Sequence, residues 1–289
     1  MPRHLVRVEL TTAEIRRAVR LALDEDLGSG DVTTLATVPP NAKSVALMRA
    51  SEPLVLAGIQ FAETAFRALS SKIKIKKLSG DGAGVKAGEA LLKISGPARA
   101  ILSTARVALN FVQRLSGIAT ATAQFVETVK GTNAKILDTR KTTPGWRRFE
   151  KYAVACGGGK NHRLGLFDLV LIKDNHLAAL QHETPNAIAA AVLRARKKFP
   201  TLKVEVEADT LEQVGQAADA GADIILLDNM TVAQLRQAVK IVRGRAKIEA
   251  SGGVNLKTVR AIARTGVDFI SVGAITHSAR AVDIGLDFT

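Results

Sequence analysis

Apolar and polar residues change their spacing twice along the chain, and the changes mark out its elements. Near the start, Ile15, Val19, Ala22 and Leu23 recur on one face of a helix, behind Thr11 and Glu14 at capping-box spacing. Gly28 and Gly30 end that helix. Between residues 45 and 94, short alternating stretches predict strands with one helix near 60–69, and the glycine-rich run 82–88 reads as turns. In residues 71–77 lysines alternate with isoleucines, the pattern of a half-buried strand whose lysine face is solvated or guards an edge. From 98 to 130 the pattern is helical and nearly free of breakers. Ser116-Gly117 interrupts it and predicts a domain boundary.

Beyond that point strands and helices alternate. Short apolar runs fall at 134–137, 169–172, 204–206, 224–227, 247–248 and 269–272, and most gaps between them hold amphipathic helical patterns. Two helix starts are marked by Thr210 with Gln213 and Thr231 with Gln234, each at capping-box spacing. Alternation of this kind implies a parallel sheet, and an even repeat of it implies a barrel. The first part reads as an α+β domain.

The chain has 289 residues, 47% hydrophobic and 24% charged, which describes an ordinary globular protein. No apolar run approaches the length of a membrane span, and Arg3, Arg7 and Glu9 stand where a signal peptide needs apolar residues. A soluble, cytoplasmic protein is expected. The single cysteine, Cys156, excludes an internal disulfide and a cysteine-rich zinc site, so a structural thiol is the expectation.

The net charge of +14 favours polyanionic partners: nucleic acid, an anionic membrane, or small substrates with phosphates and carboxylates. With Phe 9, Tyr 1 and Trp 1, stacking platforms for single strands are scarce, and no nucleic-acid motif is present. Part of the charge reads as solvated surface, at residues 72–77 and in Arg194, Arg196, Lys197 and Lys198 at a predicted helix end.

Almost every predicted strand is followed at once by a polar residue suited to chemistry: Asp138-Thr139-Arg140-Lys141, Lys173-Asp174-Asn175-His176, Glu207, Asp228-Asn229, Ser251-Gly252-Gly253 and Gly273. In a βα barrel these converge on one rim, where active sites sit. The glycine loops at 251–253 and 273 fit a phosphate, because backbone N–H groups can approach it closely. Glu207 and Asp228 stand one βα repeat apart, so two carboxylates share the rim; they could bind sugar hydroxyls, hold Mg²⁺ beside a pyrophosphate, or stabilise developing positive charge. Glu205 alternates onto the same face and is a lesser candidate. Residues 138–176 carry eight basic against four acidic side chains, two histidines and Gly157-Gly158-Gly159, a set suited to a small ligand with more than one carboxylate.

The runs Asp138-Thr139-Arg140-Lys141-Thr142-Thr143-Pro144-Gly145, Glu150-Lys151-Tyr152-Ala153-Val154, Asn161-His162-Arg163 and Ile172-Lys173-Asp174-Asn175-His176 closely resemble the quinolinate phosphoribosyltransferase family. So do Gly30-Asp31-Val32-Thr33-Thr34, Leu115-Ser116-Gly117-Ile118-Ala119, Val204-Glu205-Val206-Glu207, Leu227-Asp228-Asn229-Met230, Ala250-Ser251-Gly252-Gly253 and Thr276-His277-Ser278, in the family's order over nearly the whole chain.

The resemblance implies an α/β fold in two parts. These are an N-terminal α/β sandwich over 1–117, with 276–289 packing back on it, and an open, incomplete TIM-like α/β barrel over 118–275. It implies a homodimer, with a possible higher oligomer, in which Arg106 completes the partner's site; the family commonly has Glu before that arginine, where this chain has Ala105. It further implies that Arg106, Arg140, His162, Arg163, Lys141 and Lys173 surround the carboxylates of quinolinate. Lys141 and Lys173 would also meet phosphates of phosphoribosyl pyrophosphate. Glu207 and Asp228 would face its ribose and Mg²⁺, and Ser251, Gly252, Gly253 and Gly273 would hold its 5′-phosphate. Lys141, Lys173, Glu207 and Asp228 are the implied catalytic residues, and no nucleic acid or membrane takes part. Competing readings are a molybdate-transport-associated relative, which lacks the Lys-Asp-Asn-His segment, nicotinate phosphoribosyltransferase, whose one carboxylate needs fewer cations, and a nucleic-acid binder.

Overall fold

The structure is a computed structural model that describes residues 8–288, so Arg3 and Arg7 lie outside the described residues. In chain order the first elements are α1 (Thr12–Leu27), α2 (Val32–Thr37), β1 (Lys43–Ala50), β2 (Leu54–Val55), α3 (Ile59–Ala68), β3 (Lys74–Lys77), β4 (Gly84–Val85), β5 (Ala90–Pro97) and the long α4 (Ala98–Thr128). There follow β6 (Lys135–Leu137), α5 (Arg147–Cys156), β7 (Val170–Ile172), α6 (Asp174–Ala178), α7 (Ala187–Lys198), β8 (Val204–Ala208) and α8 (Leu211–Asp219). The last are β9 (Ile224–Asp228), α9 (Val232–Val242), β10 (Lys247–Ser251), α10 (Val259–Ala263), β11 (Phe269–Ser271), α11 (Ala274–His277) and β12 (Ile284–Phe288).

The chain divides into two compact units. One comprises residues 8–123, 148–158 and 278–288; the other comprises 124–147 and 159–277. The first is built on an antiparallel sheet in the order β12-β1-β5-β3, so the segment after residue 278 enters it as an edge strand against β1. Its other edge is β3, whose Lys74, Lys76 and Lys77 are exposed. A charged edge of that kind resists pairing with another sheet. Phe61 of α3 stacks on Phe111 of α4 with ring centres 4.8 Å apart and meets Phe149 of α5 edge-on at 5.1 Å. Helix α1 starts at the capping box formed by Thr11 and Glu14 and buries Ile15, Val19 and Leu23.

One expectation about local structure is corrected. Helix α4 runs through Ser116-Gly117 without a break. Gly117 serves close packing instead, since a Cβ there would lie 2.0 Å from the Arg280 carbonyl oxygen. The division between units falls after residue 123, and residues 148–158, including most of α5, belong to the antiparallel unit. The edge-on contact of Phe149 with Phe61 holds that excursion there.

The second unit is a sheet of six parallel strands in the order β6-β11-β10-β9-β8-β7. The first strand pairs with the last, which curls the sheet into a barrel, while β6 and β7 do not pair with each other and leave it open. Lys160 bridges Leu137 in parallel, so the chain at 160–161 runs beside β6 as a rudimentary further strand. Capping boxes at Thr210 and Thr231 start α8 and α9, as their spacing predicts. Alternation along β8 sends Val204, Val206 and Ala208 to one face and Glu205 and Glu207 to the other.

Candidate active site

Because the strands are parallel, their C-terminal ends form one rim, and period two fixes what each strand presents there. Lys173 follows β7, Glu207 lies in β8, Asp228 and Ser251 close β9 and β10, and Gly273 follows β11. Ser251 pairs in register with Asp228, and β8 neighbours β9, so these positions adjoin around the rim. Two residues earlier on the same strands stand Leu171, Glu205, Leu226, Glu249 and Ser271, one layer deeper.

At the rim, Lys173 donates from Nζ to Glu207 Oε2 at 2.7 Å. Asp228 Oδ2 accepts from Asn229 Nδ2 at 2.7 Å, and Asn229 turns the chain with a φ of 52°. Gly252 is packed against this turn: with a φ of 92°, it would bring a Cβ to 2.1 Å from Asn229 Oδ1. Only glycine fits, and the Ser251-Gly252-Gly253 backbone is left bare at the strand end. Lys141, after β6, lies along Gly273, where a Cβ would stand 3.3 Å from Lys141 Cδ, and its carbonyl accepts from Thr276 Oγ1 at 2.8 Å. The lysine arm and the glycine loop thus meet.

The stretch after β6 sorts itself by burial. Asp138, fully buried, accepts from Asn161 Nδ2 at 2.7 Å and from the His162 N–H at 2.9 Å, tying residues 161–163 to the end of β6. Arg147 braces the loop through Thr142 Oγ1 at 3.1 Å and the Leu164 carbonyl at 3.2 Å. Arg140 and Arg163 are left close to one another. Burial, and then the Arg140 charge, hold the Arg163 guanidinium below its ordinary pKa. Neither arginine forms an ion pair among the described residues, Arg163 donates to the Leu169 carbonyl at 3.3 Å, and the buried Arg140 Nε has no hydrogen-bond partner. Two partly desolvated cations side by side form a site for an anion with more than one acidic group.

His162 turns away from bulk water. Its Nε2 stands 3.0 Å from Glu205 Oε2 and 3.5 Å from Glu249 Oε2, while Nδ1 accepts the Arg163 N–H at 2.8 Å. Burial lowers its pKa, but the Glu249 and Glu205 carboxylates outweigh that and push it up to about 11. Ser271 Oγ donates to Glu249 Oε1 at 2.5 Å. Glu249 and Ser271 escaped the sequence reading, although each lies two residues before a rim position already singled out.

The barrel therefore brings together Arg140, Lys141, His162, Arg163, Lys173, Glu207, Asp228, Ser251, Gly252, Gly253 and Gly273 in one unit. Arg106 is outside that set, exposed on α4 in the antiparallel unit. Cys156 is also in that unit; burial pushes its thiol up to about 12, in keeping with an unreactive structural cysteine.

Known proteins resemble the chain over two consecutive parts. Residues 31–116 match the N-terminal domain and residues 118–287 the C-terminal domain of quinolinate phosphoribosyl transferase. A carboxylating nicotinate-nucleotide pyrophosphorylase of Mycobacterium leprae is 44% identical over 280 residues, covering 94% of this chain and 96% of that protein. A probable enzyme of the same description from Bacillus subtilis is 41% identical, covering 92% and 90%. Among solved structures, the nicotinate-nucleotide pyrophosphorylase from Francisella tularensis superposes with a TM-score of 0.92 at 40% identity, covering 98% of each chain. A human nicotinic acid phosphoribosyltransferase, 12% identical with a TM-score of 0.58, shares the fold alone. With both domains matched in order and relatives this similar over almost their whole length, the chain belongs to the quinolinate phosphoribosyl transferase family.

Proposed function

We propose that the protein transfers the phosphoribosyl group of phosphoribosyl pyrophosphate to quinolinate and decarboxylates the product, giving nicotinate mononucleotide, pyrophosphate and CO₂ for NAD biosynthesis. The observation that carries this reading is the pair Arg140 and Arg163, two neighbouring guanidiniums that form no ion pair among the described residues, in a family whose relatives bear that activity. Quinolinate supplies the two carboxylates they lack. Lys141 and Lys173 extend the cationic surface towards the phosphates, His162 forms the wall behind Arg163, and Arg106 is supplied by the partner in a homodimer or higher oligomer.

The ring nitrogen of quinolinate attacks C1 of the ribose as the bond to pyrophosphate breaks. Positive charge that develops on the sugar faces Glu207 and Asp228, and charge on the leaving group faces Lys141 and Lys173. The 5′-phosphate lies on the bare backbone of Ser251-Gly252-Gly253 and Gly273. The alkylated pyridinium then takes up the electron pair of the breaking C–C bond as the 2-carboxylate leaves as CO₂, and the carbon is protonated. Before substrate arrives, Lys173 neutralises Glu207 at 2.7 Å, so binding of pyrophosphate exchanges one anionic partner of the lysine for another.

Glu207 and Asp228 offer hard oxygen donors on adjacent strands, which suit Mg²⁺ shared with a pyrophosphate. When bound, the ion would neutralise the leaving group. The proposal places the enzyme in the cytoplasm, in keeping with one cysteine and no internal disulfide. Incubation with quinolinate, phosphoribosyl pyrophosphate and Mg²⁺ is expected to release CO₂ and nicotinate mononucleotide in equal amounts, with nicotinate a poor substitute. Folded protein that makes no product would refute the assignment.

A further inference from the structure

Two surfaces of the chain carry large apolar side chains that are held in place and left open to water. The first is the loop between Arg163 and β7, in the barrel unit. Asp168 closes it by accepting the Leu164 N–H at 2.7 Å and the Gly165 N–H at 3.0 Å, and Arg147 donates to the Leu164 carbonyl at 3.2 Å. The ring of Phe167 lies across Gly165, where a Cβ would stand 2.5 Å from it. Leu166 and Phe167 are nonetheless 72% and 71% exposed. A braced loop that presents an aromatic and an aliphatic residue to solvent is built for a protein contact.

The second surface is on the antiparallel unit, where α2 carries the run Asp31-Val32-Thr33-Thr34 that the reaction does not use. Asp31 caps α2 through the Thr34 N–H at 3.0 Å and accepts from Ser103 Oγ of α4 at 2.8 Å. Arg99 of α4 donates to the Val38 carbonyl at 2.8 Å and the Leu35 carbonyl at 3.1 Å. These bonds fix α2 beside α4, with Val32 74% and Leu35 54% exposed. Leu102 and Arg106, one turn apart on α4, are exposed as well, and the Arg106 guanidinium has no ion pair among the described residues.

Each surface adjoins one part of the proposed anion site. Leu166 comes three residues after Arg163, and Leu102 stands one turn before the arginine assigned to a partner. Guanidiniums brought to one place repel, so an attraction of another kind must hold them there before a dianion arrives. Apolar contact supplies it, and the loop is suited to it, because its one charged side chain, Asp168, is spent on its own backbone.

We propose that the Leu166-Phe167 loop of one copy docks on the surface formed by α2 and α4 of a second copy, seating Phe167 among Val32, Leu35 and Leu102 and bringing Arg106 to the pocket at Arg140 and Arg163. The inference rests on the anion site and the partner arginine proposed above. Under two-fold symmetry the contact occurs twice, since each copy supplies one loop and one receiving surface, and one association completes both sites.

Photocrosslinking tests the contact without substrate. With benzoylphenylalanine in place of Phe167, illumination is expected to give a species of twice the chain mass, linked to peptides from residues 31–38 or 98–106. Absence of that species, or links to other segments only, would overturn the proposal. Phe167→Glu tests the energetics at a position exposed within one copy. It is expected to raise the dimer dissociation constant measured by sedimentation about thirtyfold or more, as should Val32→Glu, while Phe167→Leu stays within about threefold of the unaltered protein. Specific activity of the Phe167→Glu variant should be low in dilute solution and rise with protein concentration as dimers re-form. A variant that stays dimeric, or whose low activity is indifferent to concentration, would confine the loop to its own copy and refute the docking. Should Phe167→Glu fail to fold, the crosslink decides. Failure of quinolinate turnover by the unaltered protein would refute the enzyme assignment and leave the crosslink and sedimentation tests standing.

Discussion

Arg163 is held next to a second guanidinium at a cost in electrostatic repulsion, and this separates a binding role from a structural one. Arg163→Ala is expected to lower kcat/KM for quinolinate by about 10- to 100-fold, the worth of a charge-assisted hydrogen bond, while thermal stability is unchanged or slightly raised. A large loss of melting temperature with little change in kcat/KM would make the arginine structural. Asp223 is the opposite kind of residue. Despite partial burial, its bonds to Lys203 Nζ at 2.6 Å, the Val204 N–H at 2.8 Å and Arg196 at 2.7 Å hold its carboxyl below its ordinary value. Its contribution to stability is therefore fully present above the unfolded carboxylate's pKa, near 3.9, and disappears as pH falls through the lower folded value. Asp223→Asn should be less stable than the unaltered protein by on the order of 1 kcal/mol at neutral pH, and urea titrations of the two should converge in acid. At this scale the sequence was readable wherever period two carried a polar residue to a strand end, as with Lys173, Glu207 and Asp228. It was silent on Glu249 and Ser271, because a buried polar residue inside an apolar run looks like a register defect until the opposing His162 is known.

Glycines decide the outcome at the scale of elements, and for reasons that local pattern cannot carry. Gly117 looks like a helix breaker from its own neighbours. What requires it is the Arg280 carbonyl, which arrives from far along the chain. Gly117→Ala should cost about 1–3 kcal/mol by overpacking, lowering the melting temperature by several degrees without loss of helix content in the circular dichroism of the folded protein. Gly252→Ala is expected to act differently. The Cβ would displace Asn229 and the loop that faces the 5′-phosphate, so KM for phosphoribosyl pyrophosphate should rise at least about tenfold while quinolinate binding is retained. Equal weakening of both ligands would show that the loop is not a phosphate subsite. The capping boxes at Thr11, Thr210 and Thr231 were all legible, because each is complete within four residues. The strand at 160–161 was not, being too short and too polar for any periodicity to register. Most of α5 belongs to the antiparallel unit through contacts, such as Phe149 on Phe61, between residues distant in sequence.

Over the whole molecule, the +14 charge is now apportioned. Lys74, Lys76 and Lys77 guard a sheet edge, Arg196 and Lys203 share the Asp223 carboxylate, and Arg140, Lys141, Arg163 and Lys173 gather at the barrel rim. If Arg106 serves a partner's rim, mixing inactive Arg106→Ala and Lys141→Ala subunits should restore up to about one quarter of the activity, since half the dimers are mixed and each carries one intact site. Verified mixed dimers without activity would show that Arg106 does not act across the interface.

The two larger sheets share a feature with a consequence for how the chain is made. The antiparallel sheet joins β1 to β12, and the barrel joins β6 to β11, so in each the closing partner is among the last strands to leave the ribosome. Loop closure over such separations is slow, and unpaired edges in the interim invite wrong partners. Neither unit can be completed while synthesis is still at β10. Stalled or truncated translation products should accordingly depend on chaperones and be removed by proteolysis as incomplete sheets, instead of accumulating as one finished unit tethered to an unfinished one.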